Sequence, residues 1–170
     1  MKPEYIDNFL GNKEFDDLQS LLISEKFPWA YTDVIDVFGA EDEKDKFQFS
    51  HVFYMDNCPH GYCEKLNPIF EILEVISLYR VKANLLTKTP NIIENKFHTD
   101  PFGMSEEQLQ QWTTSIFYIN TNNGYTKFED GTKVESVANR MVFFPADMKH
   151  TGTSCSDEKV RIVINFNYFK

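Results

Sequence analysis

The segment "VRIVINFNYF" (160–169) constrains the fold more than any other stretch of this chain. β-Branched and aromatic residues dominate it, and no Gly or Pro interrupts it, so it reads as a strand. Side chains alternate across a strand, which places Ile162, Ile164, Phe166 and Tyr168 on one face and Arg161, Val163, Asn165 and Asn167 on the other. The first face is suited to packing beneath helices. The second carries a guanidinium and two amides, which a dry interior does not tolerate unpaired. A sheet with helices on one side and a polar cavity on the other is therefore expected.

The rest of the chain supplies partners for such a strand. Short runs rich in β-branched and aromatic residues recur at 50–56, 79–86, 113–120, 125–130 and 140–145, separated by the turn signals "NNG", "EDG" and "PAD". Two helices are expected. Phe15, Leu18, Leu21 and Leu22 follow Asn12 as a possible N-cap, and Ile69, Ile72, Leu73 and Ile76 repeat at helical spacing within 64–80. A third, short helix starts at Ser105, where "SEEQ" has the form of a capping box, and ends near Trp112. Helices come mainly first and strands mainly later, so the chain reads as α+β, mainly β, rather than alternating βαβ.

A length of 170 residues favours one compact domain with a core of its own. A net charge of −9 argues against general affinity for nucleic acid or anionic membrane. No signal peptide or membrane span is expected, so the protein stays in the compartment where it is made, and its three cysteines are expected to be reduced. The charge run at 39–48 reads as a solvated loop. The aromatic-rich "FPWAYTDV" (27–34) fits a substrate groove and a core segment equally well.

The chemistry centres on "KFHTDPF" (96–102). A His-x-Asp pair is weak evidence by itself: with 4 His in the chain, about one chain in four of this composition contains such a pair by chance. In an extended segment, however, His98 and Asp100 point to the same side and can address one metal ion. A third ligand must come from elsewhere, and His150, following the strand "RMVFFP" and a turn, is the obvious candidate. Two His and one carboxylate form the facial triad of non-haem Fe(II) oxygenases, which leaves three coordination positions open. A keto acid can chelate through two of them while O2 takes the third. Arg161, inward-facing, supplies a fork for the distal carboxylate of such a co-substrate.

With "FHTDPF", "TTSIFYINTNNGYTKFEDG", "ANRMVFFPADMKHTGT" and "VRIVINFNYF" in this order, the chain resembles the 2-oxoglutarate/Fe(II)-dependent dioxygenases of the prolyl-4-hydroxylase-like group. The resemblance runs from about "YRVKANLL" to Lys170. It implies a double-stranded β-helix (jelly roll, cupin-like), with the jelly-roll core mainly in 79–170 and helical support mainly in 1–78 of a single domain. It implies His98, Asp100 and His150 as iron ligands and Arg161 on the oxoglutarate C5 carboxylate. Tyr118 falls where relatives place a hydroxyl on that same carboxylate. Asn165 matches a polar position that reaches the co-substrate, and Asn84 and Leu86 lie on a strand that contributes to its pocket. Some relatives carry Tyr where this chain has Leu85 and Leu86. The implied reaction consumes O2 and 2-oxoglutarate, releases succinate and CO2, and hydroxylates a C–H bond, with a prolyl residue in a peptide as one candidate and ascorbate as a candidate reductant. The presence of Asp100, and not Gly or Ala, favours hydroxylation over halogenation.

Two rivals stay open at this level. One is a catalytically silent jelly-roll module that binds metal; the other is an interaction domain built on zinc at Cys58, His60 and Cys63, with Cys155 as a fourth ligand. The resemblance also extends to small oxygenases of bacteria and their phages, which implies a cytoplasmic protein. Its substrate, a peptide, a protein or a small molecule, and its oligomeric state are not encoded in any motif.

Overall fold

A computed structural model describes residues 2–33, 35, 46–101 and 103–170. Most of the charge run at 39–48 lies outside them. In chain order the elements are β1 (Glu4–Ile6), α1 (Asn12–Ile23), β2 (Ala30–Thr32), β3 (Gln48–Met55), β4 (Cys58–Pro59), a 3-10 turn (Cys63–Leu66), α2 (Asn67–Leu73) and β5 (Ser77–Thr87). They continue with α3 (Glu106–Leu109), β6 (Thr113–Tyr118), β7 (Tyr125–Phe128), β8 (Lys133–Glu135), β9 (Arg140–Pro145), β10 (His150–Gly152) and β11 (Val160–Phe169).

Two sheets face each other. The larger is antiparallel, in the order β1-β9-β6-β11-β5-β3-β2, with β4 paired to β3; the smaller has the order β10-β7-β8. Bridges Glu94–Thr153 and His98–His150 lay the segment 94–98 along the free edge of β10. The strand at 160–169 sits centrally, between β6 and β5.

Its two faces divide as alternation requires. Ile162, Ile164, Phe166 and Tyr168 join Phe15, Leu18 and Leu22 of α1 and Ile69 and Leu73 of α2 in the main core. Full burial of each such side chain is worth about 1.5–3 kcal/mol, which holds the helices against the sheet. A second core of Ile116, Tyr118, Phe128, Val134, Val142, Phe144 and Val163 lies between the sheets. Asn139, at φ 60° before β9, clamps the N-terminal segment by exchanging two 2.9 Å bonds between its amide and the Leu10 backbone.

Several local expectations need correction. Gly11, not Asn12, caps α1, because the carbonyl of Gly11 accepts the first helical bond, from Phe15 N. The second helix stops at Leu73: Glu74 takes φ 54°, and Ile76 N bonds to Phe169 O, starting the approach to β5. Ile76 is thus 73% exposed, and Ile72 also faces solvent. The Ser105 capping box is present, but α3 ends at Leu109, short of Trp112. In "FPWAYTDV", Phe27 is core, Trp29 packs against it and Tyr31 is exposed.

Candidate active site

His98, Asp100 and His150 converge, one ligand atom of each lying within 4.8 Å of the others; they are the only such group of three among the described residues. The backbone sets this up. His98 N donates to His150 O and His150 N to His98 O, each at 3.0 Å, so the two residues face each other across a narrow antiparallel bridge. Each imidazole is then turned by its own main chain. Nδ1 of His98 lies 3.0 Å from Lys96 O and Nδ1 of His150 lies 3.3 Å from Met148 O. Carbonyls only accept, so each Nδ1 donates to its carbonyl, which leaves each Nε2 as the ring nitrogen nearest Asp100. The two Nε2 atoms lie 3.8 and 3.9 Å from the two oxygens of Asp100. The His150 ring is wedged edge-on against Phe144, with Phe128 behind it.

Asp100 is buried, and burial alone would raise its pKa. The Arg80 guanidinium, 3.1 Å from Oδ1, outweighs that penalty together with His150, His98 and the Asn167 amide, and the carboxyl is lowered to about 2. Asn165 and Asn167 each donate Nδ2 to Oδ2 at 3.3 Å, and Asn167 also donates to Thr114. Burial dominates at His150 and lowers its pKa to about 4, so the imidazole is neutral at physiological pH. Two imidazoles and one ionised carboxylate are the donor set that a divalent first-row metal takes, and they leave room for further ligands.

A cavity of about 670 Å³ opens beside these residues. At its inner end lies Arg161, only 2% exposed. Its Nε donates to Ser136 Oγ (2.8 Å) and its Nη2 to Thr126 Oγ1 (3.4 Å), but no carboxylate of the described residues lies within ion-pair distance. A buried guanidinium held only by hydroxyls lacks an anion. Gly124 lets it lie where it does: a Cβ there would stand 2.7 Å from Arg161 Cδ and 2.8 Å from Ser154 O.

The other sequence-singled residues are distributed around this pair of features. Asn165, Asn84 and Leu86 line the cavity, with Leu86 level with Arg161 in the β5–β11 register. Tyr118 does not line it. Its hydroxyl donates to Thr126 Oγ1 (2.8 Å) and its ring lies 5.7 Å from the Arg161 guanidinium, so it supports Arg161 through a shared threonine. Cys58 is exposed, Cys63 and Cys155 are buried, and their sulfurs do not gather with His60 into a group of metal-ligand atoms. Sequence reasoning missed Arg80, Lys82 and the role of Asn167. The alternation that put Asn84 and Leu86 on one face of β5 puts Arg80 and Lys82 there too.

No protein-family model matches the sequence, and no curated protein matches it. Solved structures do. A prolyl hydroxylase from Trichoplax adhaerens, in complex with a hypoxia-inducible-factor oxygen-degradation-domain peptide, matches over 98% of this chain and 83% of that one, with TM-score 0.68 and 13% identity. The viral collagen prolyl hydroxylase of Paramecium bursaria Chlorella virus-1, a 2-oxoglutarate complex, matches over 100% and 97% at TM-score 0.60 and 15% identity. The α-ketoglutarate-dependent carbocyclase SnoK of nogalamycin biosynthesis matches over 99% and 79% at TM-score 0.69 and 13% identity. The architecture is therefore the jelly roll of the 2-oxoglutarate/Fe(II) oxygenases. Within that fold class, prolyl hydroxylases are among the structures it matches.

Proposed function

We propose that this chain is an Fe(II)- and 2-oxoglutarate-dependent dioxygenase that hydroxylates a C–H bond, with a prolyl residue in a peptide or protein as the leading substrate class. The observation that carries the reading is one cavity holding both a three-ligand cluster and a buried guanidinium without a carboxylate. The solved neighbours support it through fold, and the prolyl assignment follows from two of them being prolyl hydroxylases.

In this reading His98, Asp100 and His150 hold the metal, and Arg161 receives the C5 carboxylate of 2-oxoglutarate through a charge-assisted fork. Thr126, bonded to both Arg161 and Tyr118, keeps that fork aimed. Asn165 and Asn167 fix the Asp100 carboxylate from behind, and Asn84 and Leu86 shape the wall beside the co-substrate. When bound, the iron supplies activation of O2 coupled to oxidative decarboxylation of 2-oxoglutarate, so that one oxygen atom enters succinate and the other the C–H bond. Phe128 and Phe144 keep the His150 side of the site dry. Ascorbate is the reductant that would restore Fe(II) after uncoupled turnover. The reading takes the chain as one catalytic domain, with 1–78 mainly supporting 79–170. It places the protein in the cytoplasm, where Cys58, Cys63 and Cys155 remain free thiols. No helix among the described residues is long and apolar enough to cross a membrane.

Anaerobic addition of Fe(II) and 2-oxoglutarate to the purified protein should develop the weak visible charge-transfer band of the chelate, and admission of O2 should release succinate. A band without succinate would indicate a silent module; neither band nor succinate at saturating ligand would remove the proposal.

A further inference from the structure

The cavity is cationic although the protein is acidic. Asp100 is the only acid among its described lining residues, against Arg80, Lys82, Lys96, Lys149 and Arg161, in a chain of net charge −9. Most of these cations are accounted for. Arg80 is 3.1 Å from Asp100, Lys149 is 3.5 Å from Glu129, and Lys96 is engaged elsewhere. On the reading proposed above, Arg161 takes the distal carboxylate of 2-oxoglutarate, and the metal charge is met by Asp100 together with the chelating carboxylate. Lys82 is left over: no described carboxylate lies within ion-pair distance of it.

The chelating carboxylate is taken up by the metal, and Lys82 is too far along the sheet to share the distal carboxylate with Arg161. It pairs with Asn165, which touches Asp100, whereas Arg161 pairs with Leu86. Four strand residues separate the two levels, about 13 Å of backbone. Lys82 therefore lines the cavity at the level of the metal ligands, four strand residues from the level of Arg161. Burial, and then the Arg80 guanidinium, hold it below its ordinary pKa, with Asp100 offsetting only part of this. Beside it on the same face, Asn84 Oδ1 is buried with no hydrogen-bond donor. A cation and an unmet acceptor, side by side, suit a group that brings a negative charge and an N–H or O–H.

We propose that Lys82 is a specificity-determining residue that binds a carboxylate of the primary substrate, next to the carbon to be oxidised. The inference rests on the proposed oxygenase function and adds to it the charge of the substrate. The carboxylate can belong to a free acid of amino-acid type or to an acidic residue of a peptide.

The test is calorimetry on the full chain loaded anaerobically with Fe(II) and 2-oxoglutarate, titrated with pairs differing by one charge. The pairs are acetate and acetamide, L-proline and L-prolinamide, and N-acetyl-Pro-Glu-amide and N-acetyl-Pro-Gln-amide. The acid of at least one pair should bind about tenfold or more tightly than its neutral twin. Preference in the second pair marks a free acid, and preference in the third alone marks a peptide. Lys82→Met should erase the preference, Lys82→Arg should retain it, and neither should change the affinity for 2-oxoglutarate. No preference in any pair, a preference that survives Lys82→Met, or a loss of 2-oxoglutarate binding in Lys82→Met would overturn the assignment. Failure of the wild type to take up Fe(II) and 2-oxoglutarate is a different result: it removes the oxygenase reading, and this inference with it.

Discussion

His98 and His150 are bonded to each other through their backbones in both directions, N to O 3.0 Å each way, while their ring centroids stand 5.0 Å apart. The main chain thus holds the two imidazoles side by side, and each Nδ1 is fixed by a nearby carbonyl. Truncating the half-exposed His98 to Ala leaves both backbone bonds in place. His98→Ala should lose stoichiometric Fe(II), measured by metal analysis after dialysis, while its unfolding free energy stays within about 1 kcal/mol of wild type.

Arg161 is a buried charge whose anion has to come from outside the protein. Arg161→Met should weaken 2-oxoglutarate binding by about a hundredfold or more with metal binding retained. In the ligand-free protein it should cost little, because an unpaired buried charge disappears with it. Gly124→Ala should reach the same binding defect by displacement, since the new methyl meets Arg161 Cδ and the Ser154 carbonyl. Calorimetric titration of the metal-loaded variants reads both effects.

Asn167 joins Asp100 to Thr114 of β6 and is not one of the three candidate ligands. Residues that orient a ligating carboxylate typically contribute 10–100-fold to metal affinity, so Asn167→Leu should lower Fe(II) affinity by about that factor. With metal saturating, 2-oxoglutarate affinity should be unchanged, as Arg161 lies elsewhere. Competition against a metallochromic chelator checks the first number.

The His150 pKa falls from 6.5 unfolded to about 4 folded. Between those values the unfolded chain binds a proton that the folded chain refuses, so stability is full above the higher value and falls as pH drops toward the lower one. The loss from this group is about 3 kcal/mol at most. Asp100, lowered from 3.8 to about 2, adds stability that is present above 3.8 and lost as pH falls further. Urea unfolding of the metal-free protein across pH 4–7 should show the first loss, and His150→Gln should flatten it.

Much of this was legible in the sequence where periodicity carries direct physical meaning. Alternation in β11 separated Ile162 and Phe166, which meet the helices, from Arg161 and Asn165, which line the cavity. Spacing placed His98 and Asp100 on one side, and the "SEEQ" signal located the Ser105 cap. Illegible parts depend on tertiary pairing. The end of α2 at Glu74 reflects the Ile76 to Phe169 bond, a contact no local pattern announces. The short strands β1, β2, β8 and β10 are made by their partners rather than by propensity. Tyr118 points at Thr126 because of where β7 lies, and the Arg80–Asp100 pair forms across two segments whose proximity only the fold creates.

In an oxygenase of the proposed kind, the metal cluster and Arg161 form one binding site for a chelating dicarboxylate. The most direct measurement is calorimetric titration of 2-oxoglutarate into the protein with and without a divalent metal, in the absence of O2. One equivalent should bind tightly with Fe(II) or Mn(II), and at least about tenfold more weakly once the metal is chelated away. Equal binding in both conditions, or none in either, would contradict it.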